Sequence, residues 1–406
     1  MTRTGTKKTW QKSAGALAAL ALVVSACGGD DDDSVAEEET TEATAEDTGG
    51  DDSGGDDSGG DDSAEATSDD GGEDTAEDTV DATQGGGILD AVTASGNLNC
   101  GVSGAAVAFS QANAEGVMEG IDADYCRAVA AAVTGSADNT TFIALTAAER
   151  FTAIQTGDAD VLMRNSTWTQ SRDTEVGMDF GPTSYYDGQQ LMGRASQGFS
   201  GQSEVSEIDG AIVCTNAGTT TETNISELAA TLGITITLNT FEDFDQVTDA
   251  FIAGTCDVIT TDGSGLVGRK AVQQPEGEEW VIFPATPISK EPLGPVYAQN
   301  DSLWADVVNW VVYATIIADE YGVTSADVDA ALAGDFGPEM VRLMGGEGEL
   351  QTVMGLPADA FYQVISQVGN YQEIWDRNLT PVGLDRAGSA NALWTDGGLL
   401  YAPPAR

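Results

Sequence analysis

Residues 122–163 read DADYCRAVAAAVTGSADNTTFIALTAAERFTAIQTGDADVLM, and this stretch determines the fold class. Asp122 to Val133 has apolar residues at helical spacing, and Asp122 is placed to cap its N-terminus. Thr141 to Ala144 and Asp160 to Met163 are short apolar strands, and Ala147 to Thr156 between them is a second helix. Strands that alternate with helices predict βαβ units, in which neighbouring strands run parallel.

The same order of elements returns in the middle of the chain. Strand, helix, strand, helix and strand are predicted for Ala211 to Cys214, Thr220 to Leu232, Ile234 to Thr240, Glu242 to Ala253 and Asp257 to Thr261. The sequence therefore predicts two similar α/β lobes, each with a mostly parallel sheet flanked by helices. Residues 302–321 form a long helix, and a stretch rich in glycine and aromatic residues follows it.

The composition disfavours several classes of function. The chain has 406 residues, of which 67 are acidic and 16 basic, and it has no histidine. Without histidine there is no Ser-His-Asp triad and no His-ligated metal, and we expect neither a metal nor another cofactor. A net charge of -51 disfavours nucleic acid as a partner, because lysine and arginine bind its phosphates.

Residues 1–27 resemble the export signal of a bacterial lipoprotein. Four basic residues precede the apolar run Ala14 to Val24, which suits a signal core and is too short to span a membrane. The run ends in Val24-Ser25-Ala26-Cys27, which is similar to a lipobox, so Cys27 is the predicted lipidation site. A plain signal peptide with an incidental cysteine is the alternative.

Residues 28–87 hold 24 of the 67 acidic residues and no basic residue. This segment has near-repeats of Gly-Gly-Asp-Asp-Ser and no apolar periodicity. It is predicted to be a disordered tether that separates the folded part from a membrane, because no core offsets the entropy of ordering. An acidic interaction tail, or a weak Ca²⁺-binding one, is the alternative.

Four cysteines remain beyond Cys27, namely Cys100, Cys126, Cys214 and Cys256. An exported location permits disulfides, and four cysteines allow three pairings. One bridge within each lobe, Cys100–Cys126 and Cys214–Cys256, is the simplest topology because it leaves the lobes free to move. Free buried cysteines are the alternative.

Six stretches resemble a known family when they are taken in order. They are Cys126 to Val133, Arg164 to Asp173, Gly218 to Glu222, Ser289 to Pro295, Val368 to Tyr371 and Tyr401 to Pro404. Residues 88–406 are thereby similar to the general L-amino-acid-binding branch of the solute-binding proteins, the extracytoplasmic receptors of ABC-type importers.

The resemblance implies the type II periplasmic-binding-protein fold. Lobe one would comprise residues 88–194, lobe two residues 195–288, and residues 289–406 would return to lobe one and add a C-terminal helical extension. The chain would cross between the lobes near Arg194 and near Ser289. An amino acid would bind in the cleft at the carboxyl ends of the strands, and the lobes would close on it like a hinge.

The resemblance also implies which residues hold the α-carboxylate. Arg172 matches the carboxylate-binding arginine of the family, and a guanidinium suits a carboxylate because it is planar and permanently charged. Thr167 matches a hydroxyl and backbone donor, and Thr220 matches the threonine that opens a helix in lobe two. The alternatives are an Arg172–Asp173 surface pair and simple helix capping by Thr219 and Glu222.

The α-ammonium would meet Asp262 and Asn165, which match the family's acid and its neighbouring polar position. A turn aspartate before Gly263 is the alternative for Asp262. Arg150 matches the position where relatives that bind glutamate and aspartate place an arginine, although a surface pair with Glu149 is equally consistent. Phe109 and Phe244 are candidate pocket walls or core residues. The loop Ser103 to Ala108 lacks the family's stacking aromatic, which indicates a roomier pocket.

The resemblance implies a monomeric binding protein, held outside the cytoplasm on the membrane, that delivers L-amino acids to a permease with an ATPase partner. Polar or acidic side chains would be favoured within a broad specificity, and no catalytic residue is expected. Two alternatives stay open. One is a dehydratase of the arogenate or prephenate type, for which Glu119, Asp122 and Asp262 are available acids. The other is a sensor that signals through a membrane receptor.

Overall fold

The computed structural model describes residues 87–406. The predicted export signal, the lipidation site Cys27 and the acidic segment up to residue 86 lie outside the described residues. The strands of the described part, β1 to β14, are Leu98–Val102, Ala105–Ala106, Ser110–Ala112, Met118–Glu119, Thr140–Ala144, Val161–Thr167, Met178–Phe180, Tyr185–Asp187, Gln189–Arg194, Ile212–Asn216, Thr237–Phe241, Val258–Asp262, Trp280–Phe283 and Glu291–Ala298.

The α-helices follow the predicted alternation with these strands. In the part of the chain from Gly87 onward, helices α1 to α12 are Ile88–Ser95, Ile121–Thr134, Arg150–Thr156, Gln170–Thr174, Thr220–Leu232, Phe244–Ile252, Gly263–Gln273, Ser302–Glu320, Val328–Ala333, Pro338–Leu343, Ala360–Val368 and Tyr371–Asn378. Of these helices, none combines the length and the hydrophobicity that a membrane crossing requires.

Two sheets form the centres of two lobes. The first has the order β5-β1-β6-β14-β7, with β8 also beside β14, and its strands β5, β1 and β6 run parallel. The second has the order β11-β10-β12-β9-β13, and β11, β10 and β12 run parallel. Short strands β2, β3 and β4 form a small antiparallel sheet. The predicted two-lobed α/β fold is confirmed. The sheets are mixed and not mostly parallel, because β14 pairs antiparallel with β6, β7 and β8 in the first sheet and β9 pairs antiparallel with β12 and β13 in the second. Both β14 and β9 join their sheets after the chain has crossed between the lobes.

The chain crosses between the lobes at Gly188 and again between Phe283 and Glu291. Strand β9 pairs with β12 and β13 in the second sheet, so the first crossing precedes the position predicted near Arg194. The sequence of β9, Gln-Gln-Leu-Met-Gly-Arg, gives no local sign of which sheet it joins. The two crossings touch, because the backbone N–H of Ile288 donates to the Gln189 carbonyl at 2.8 Å. A Cβ atom on Gly188 would lie 2.5 Å from Pro287, so this contact requires glycine.

Helix α2 is the centre of the lobe-one core. Almost every residue of this helix is buried, and α11 of the C-terminal extension packs against it. The hydroxyl groups of Tyr125 and Thr315 hydrogen-bond at 3.0 Å, which joins α2 to α8. The Arg377 guanidinium donates to the Asp124 carboxylate at 2.7 Å and joins α2 to α12. The C-terminal extension is therefore an integral layer of lobe one.

The predicted N-cap of α2 is wrong. The N-cap is Gly120, whose φ of 124° favours glycine, and Asp122 lies inside the first turn. A side chain on Gly120 would also collide with the backbone of Phe109. The Asp122 carboxylate instead accepts a 2.8 Å hydrogen bond from the Asn165 N–H, so a tertiary contact uses the group that local spacing assigned to capping.

Each lobe contains one disulfide. Cys100 in β1 is bonded to Cys126 in α2, and Cys214 in β10 is bonded to Cys256 before β12. All four cysteines are fully buried. The first bridge joins α2 to β1, and the second joins the loop after α6 to β10. Neither bridge constrains the two crossings.

Removal of the lobe-two bridge should destabilise the protein. The cysteines are 42 residues apart in sequence, and closing a loop of this size restricts the unfolded chain. Changing Cys214 and Cys256 together to alanine should lower the free energy of unfolding by ~2–5 kcal/mol. Urea denaturation without reductant measures this. An unchanged midpoint in the double variant would contradict it.

Candidate functional site

A cavity of about 320 Å³ lies between the two lobes. It is formed where all six parallel strands end, as expected for open α/β sheets. Segments after β1, β5 and β6 line it from lobe one, and segments after β10, β11 and β12 line it from lobe two. All eight residues that the resemblance assigned to ligand binding line this cavity, namely Phe109, Arg150, Asn165, Thr167, Arg172, Thr220, Phe244 and Asp262.

Arg172 lies in α4, directly after β6. The Thr169 hydroxyl caps this helix by accepting from the Arg172 N–H, and the Arg172 Nη1 donates to the Thr167 carbonyl at 2.8 Å. The guanidinium also lies over the Phe151 ring, 5.4 Å from its centroid. Among residues 87–406 Arg172 forms no ion pair, so the alternative of a surface pair with Asp173 is not formed. This buried cation faces the cavity without an acidic partner in contact.

Thr167 and Thr220 face each other across the cleft. Their hydroxyl oxygens are 3.4 Å apart, and both hydroxyls lie at hydrogen-bond distance from one oxygen of Glu291. Thr220 is the first residue of α5, where the first backbone N–H groups have no partner within the helix. Thr219 accepts from the Glu222 N–H as the predicted cap. Thr219 therefore caps the helix, and both Thr219 and Thr220 line the cavity.

Asp262 ends β12 and is buried beside the cavity. It precedes α7, but its carboxylate makes no capping hydrogen bond to that helix, which argues against a purely local turn role. Burial raises the pKa of Asp262 well above its ordinary value, and the nearby Asp187 and Glu291 raise it further. A hydrogen bond from the Asn165 side chain and the charge of Arg172 oppose that rise in pKa. A cation in the cavity would therefore stabilise the ionised form.

Asn165 and Arg150 contribute polar atoms that have no partner. Asn165 has a φ of 31°, and its buried side-chain oxygen accepts no hydrogen bond from the described residues. Arg150 is 3 % exposed, and its buried Nε likewise has no partner there. Buried polar groups are nearly always hydrogen-bonded, so these two atoms give the cavity one donor and one acceptor that a polar group could satisfy.

The surroundings of Arg150 exclude its alternative role. The Glu149 carboxylate accepts from the Thr146 hydroxyl at 2.8 Å, and it forms no ion pair with Arg150 in the described part. Burial and the nearby cations Arg172 and Arg164 lower the pKa of Arg150 well below its ordinary value. Three guanidinium groups thus meet at one side of the cavity, where an anion would offset their repulsion.

The two predicted aromatic walls differ in depth. Phe109 is buried and meets the Tyr185 ring edge-on at 5.2 Å, so it belongs to the core as well as to the cavity wall. Phe244 is half-buried in the first turn of α6, and Arg269 lies 5.6 Å from its ring centroid. Both the pocket and the core interpretations therefore hold for Phe109.

Arg269 and Glu291 are site residues that the sequence pattern did not indicate. Arg269 in lobe two donates to the Ala105 carbonyl in lobe one at 2.5 Å and pairs with Asp245. A Cβ atom on Gly268 would lie 3.1 Å from Val107, so the lobes touch across the cleft in a closed arrangement. Glu291 lies within Ser289 to Pro295, one of the six stretches that carry the resemblance. Its position directly after a predicted crossing is the sequence feature that could have indicated its role.

Asp122 is buried next to this site and accepts a hydrogen bond from the Asn165 N–H. Burial disfavours the ionised form of its carboxylate. Burial raises the pKa of Asp122 to about 7 from an ordinary 3.8, although the Asn165 N–H and the Arg164 charge oppose the rise. The folded protein therefore binds this proton more tightly than the unfolded chain does. The associated stability is present at low pH and is lost as the pH rises from about 4 through about 7.

Asp122→Asn should flatten the pH dependence of stability. The amide oxygen still accepts from the Asn165 N–H, but no buried charge forms when the pH rises. Relative to the wild type, the variant should gain melting temperature between about pH 5 and about pH 8. Calorimetric scans across this range provide the measurement. Parallel profiles for the two proteins would contradict the assignment.

One family model and two curated relatives match this chain. The family model described as bacterial extracellular solute-binding proteins, family 3, matches residues 98–213. The glutamate/glutamine/aspartate/asparagine-binding protein of Rhodobacter capsulatus is 43% identical over 321 residues, which cover 78% of this chain and 93% of the relative. The general L-amino acid-binding periplasmic protein of Rhizobium johnstonii is 42% identical over 324 residues, covering 78% and 92%.

A solved structure is similar over the same region. The ABC transporter/periplasmic binding protein from Brucella ovis, with glutathione bound, has 41% identity to this chain and a TM-score of 0.74. The match covers 79% of this chain and 100% of that protein. The similarity therefore extends over both lobes and the C-terminal extension.

Proposed function

Because this chain belongs to the bacterial extracellular solute-binding proteins, family 3, we propose that it captures L-amino acids between its lobes and delivers them to an ABC transporter. This proposal rests on the presence of both Arg172 and Asp262 at one cavity. The unpartnered polar atoms of Asn165 and Arg150 at the same cavity support it. A cation and an acid at one cavity match the two charges of an α-amino acid.

The α-carboxylate binds Arg172 and the free N–H groups that open α5 at Thr220. A guanidinium forms strong charge-assisted hydrogen bonds with a carboxylate, and a helix N-terminus adds a favourable dipole. The α-ammonium binds Asp262 and the Asn165 oxygen, because a desolvated ammonium must be paired. The hydroxyls of Thr167 and Thr220 donate to Glu291, so their oxygens add acceptors for the ammonium.

Side-chain selectivity arises from Arg150. Its guanidinium has no acidic contact and its Nε has no hydrogen-bond partner, so a second carboxylate or an amide oxygen on the ligand would satisfy it. The two related binding proteins are named for acidic and amide amino acids and for L-amino acids in general. We therefore assign broad binding with acidic and amide side chains preferred.

Glutathione is a second candidate ligand. The Brucella ovis relative carries it, and the cavity of about 320 Å³ is lined by more than one guanidinium group for its two carboxylates. The γ-glutamyl end has the α-ammonium and α-carboxylate of an amino acid, so Asp262 and Arg172 would hold that end. Arg150 or Arg269 would meet the other carboxylate.

The partners of this function are a permease and its ATPase subunit, with the protein held outside the cytoplasm as a monomer. Cys27 is the lipid attachment site, and the acidic residues 28–87 separate it from the binding lobes. The naming of the 41–43%-identical relatives as binding proteins favours capture over dehydration of arogenate or prephenate. The same lobes would serve a sensor if a receptor replaced the permease.

Thermal unfolding of the purified protein with single ligands tests the proposal. The panel comprises the twenty L-amino acids, D-glutamate, glutathione and prephenate. A ligand at a thousandfold excess over its dissociation constant adds ~4 kcal/mol of stability, so the melting temperature should rise for several L-amino acids and not for D-glutamate. A shift with prephenate alone, or with no amino acid, would overturn it. A larger shift with glutathione than with glutamate would favour γ-glutamyl peptides.

Arg172→Met should weaken every L-amino acid. The apolar side chain retains most of the length but leaves the α-carboxylate unpaired, which should raise the dissociation constants by ~100-fold or more. Titration calorimetry with glutamate, glutamine and alanine measures this. Wild-type affinity for all three ligands in a folded variant would remove Arg172 from the site.

Arg150→Met is the matched counterpart. It removes a neighbouring guanidinium from the same cavity, but only ligands with a second carboxylate or an amide should lose affinity. We expect the dissociation constants of glutamate and aspartate to rise by ~100-fold and that of alanine to change by less than about threefold. Equal losses for glutamate and alanine would show that Arg150 has no selective role.

A further inference from the structure

Glu291 is a buried carboxylate that does not itself line the cavity. It is the first residue of β14, directly after the second crossing, and it is 1 % exposed. Its register partner is Asp187, the last residue before the first crossing. Glu291 therefore lies beside both connections between the lobes.

Four neutral donors surround this carboxylate. Its Oε2 accepts from the Thr167 hydroxyl at 2.6 Å and from the Thr220 hydroxyl at 2.8 Å. Its Oε1 accepts from the Asn224 amide at 2.9 Å and from the Ser289 hydroxyl at 2.5 Å. Two oxygens with about four lone-pair sites are thereby saturated.

The donors come from both lobes. Thr167 ends β6 of lobe one and Ser289 belongs to the crossing, whereas Thr220 and Asn224 lie one turn apart in α5 of lobe two. A buried ionised carboxylate is costly unless its hydrogen bonds are made. Half of the donors depend on α5 lying against β14, so an opening of the cleft would leave this carboxylate short of partners.

The same contacts orient two residues of the cavity. A hydroxyl has one hydrogen, and Thr167 and Thr220 each direct it toward Glu291. Their oxygen lone pairs are then left for the cavity side. The two hydroxyls can accept from an ammonium group in the cleft, but they cannot donate to a carboxylate while Glu291 holds their hydrogens.

We propose that Glu291 is a positioning residue that couples amino-acid binding to lobe closure. It fixes the Thr167 and Thr220 hydroxyls as acceptors for the ligand ammonium, and its hydrogen-bond shell is complete only when lobe two has closed. This role rests on the proposed function, since it requires a ligand with an ammonium group. Glu291 acts through the two threonines and does not contact the ligand.

Asn224 and Ser289 form a matched pair for the test. Each donates one hydrogen bond to the same oxygen of Glu291, but Asn224 comes from lobe two and Ser289 is two residues away in the chain. A purely structural carboxylate would respond similarly to the loss of either donor. A closure-coupled carboxylate would respond to the lobe-two donor in the ligand-bound state.

Binding kinetics of the purified full-length protein with glutamate should separate these cases. Asn224→Ala should raise the dissociation rate about tenfold, because a hydrogen bond to a charged group is lost from the closed state. Ser289→Ala should change this rate by less than about twofold. The melting temperature of Asn224→Ala should equal that of the wild type without ligand and fall below it with glutamate.

Glu291→Gln provides the second variant. The amide keeps the shape but replaces one acceptor oxygen with a donor, so the dissociation constant of glutamate should rise by about 100-fold. Equal kinetics for Asn224→Ala and Ser289→Ala, or wild-type affinity for Glu291→Gln, would overturn the role of Glu291. A wild-type protein that binds no amino acid would overturn the proposed function itself. The two failures are distinguishable, because the role of Glu291 fails only in the variants of a wild type that does bind.

Discussion

The carboxyl ends of six parallel strands meet at one cleft, and the rest of the site depends on this constraint. Parallel neighbours end at the same edge of their sheet, so the segments after β1, β5 and β6 must converge. The segments after β10, β11 and β12 converge in the same way in the other lobe. Charged side chains that are far apart in sequence are thereby held around about 320 Å³ of cavity.

Desolvation determines the chemistry of that cavity. The guanidinium groups of Arg150, Arg164 and Arg172 and the carboxylates of Asp122 and Asp262 are all largely removed from water. Burial lowers the pKa of Arg164 to about 10 and raises that of Asp187 to about 6. Charges in such a setting interact more strongly than in water, and a zwitterionic ligand of the right geometry offsets several of these costs at once.

Two chain crossings connect the lobes, and neither disulfide restrains them. Each disulfide lies within one lobe. The crossings meet at Gly188, where neighbouring atoms leave no room for a side chain. Polar contacts span the cleft at two places, in addition to the packing of Gly268 against Val107. Arg269 donates to the Ala105 carbonyl near the rim, and the shell of Glu291 lies near the crossings. The lobes are thus joined by polar contacts of Arg269 and of Glu291.

Sequence order determined the architecture because its signals are local. The sequence pattern predicted α5 with its observed bounds, Thr220–Leu232, and the alternation of strands and helices predicted the three parallel strands of each sheet. The pattern did not predict the antiparallel strands that complete each sheet. Placement after a strand also predicted that Arg172 and Asp262 would reach the strand ends, because strand direction alone decides that edge. The resemblance supplied their roles.

Tertiary structure decided the features that depend on distant partners. The cap of α2 shifted to Gly120 because Asp122 meets the Asn165 N–H, 43 residues away. Glu291 meets Thr167 across 124 residues and Thr220 across 71, and no local pattern encodes such meetings. The sequence by itself determined the elements and the edge where they end. Only the packed lobes decided which buried charges are paired and which face the cavity, since that depends on contacts between segments that no periodicity connects.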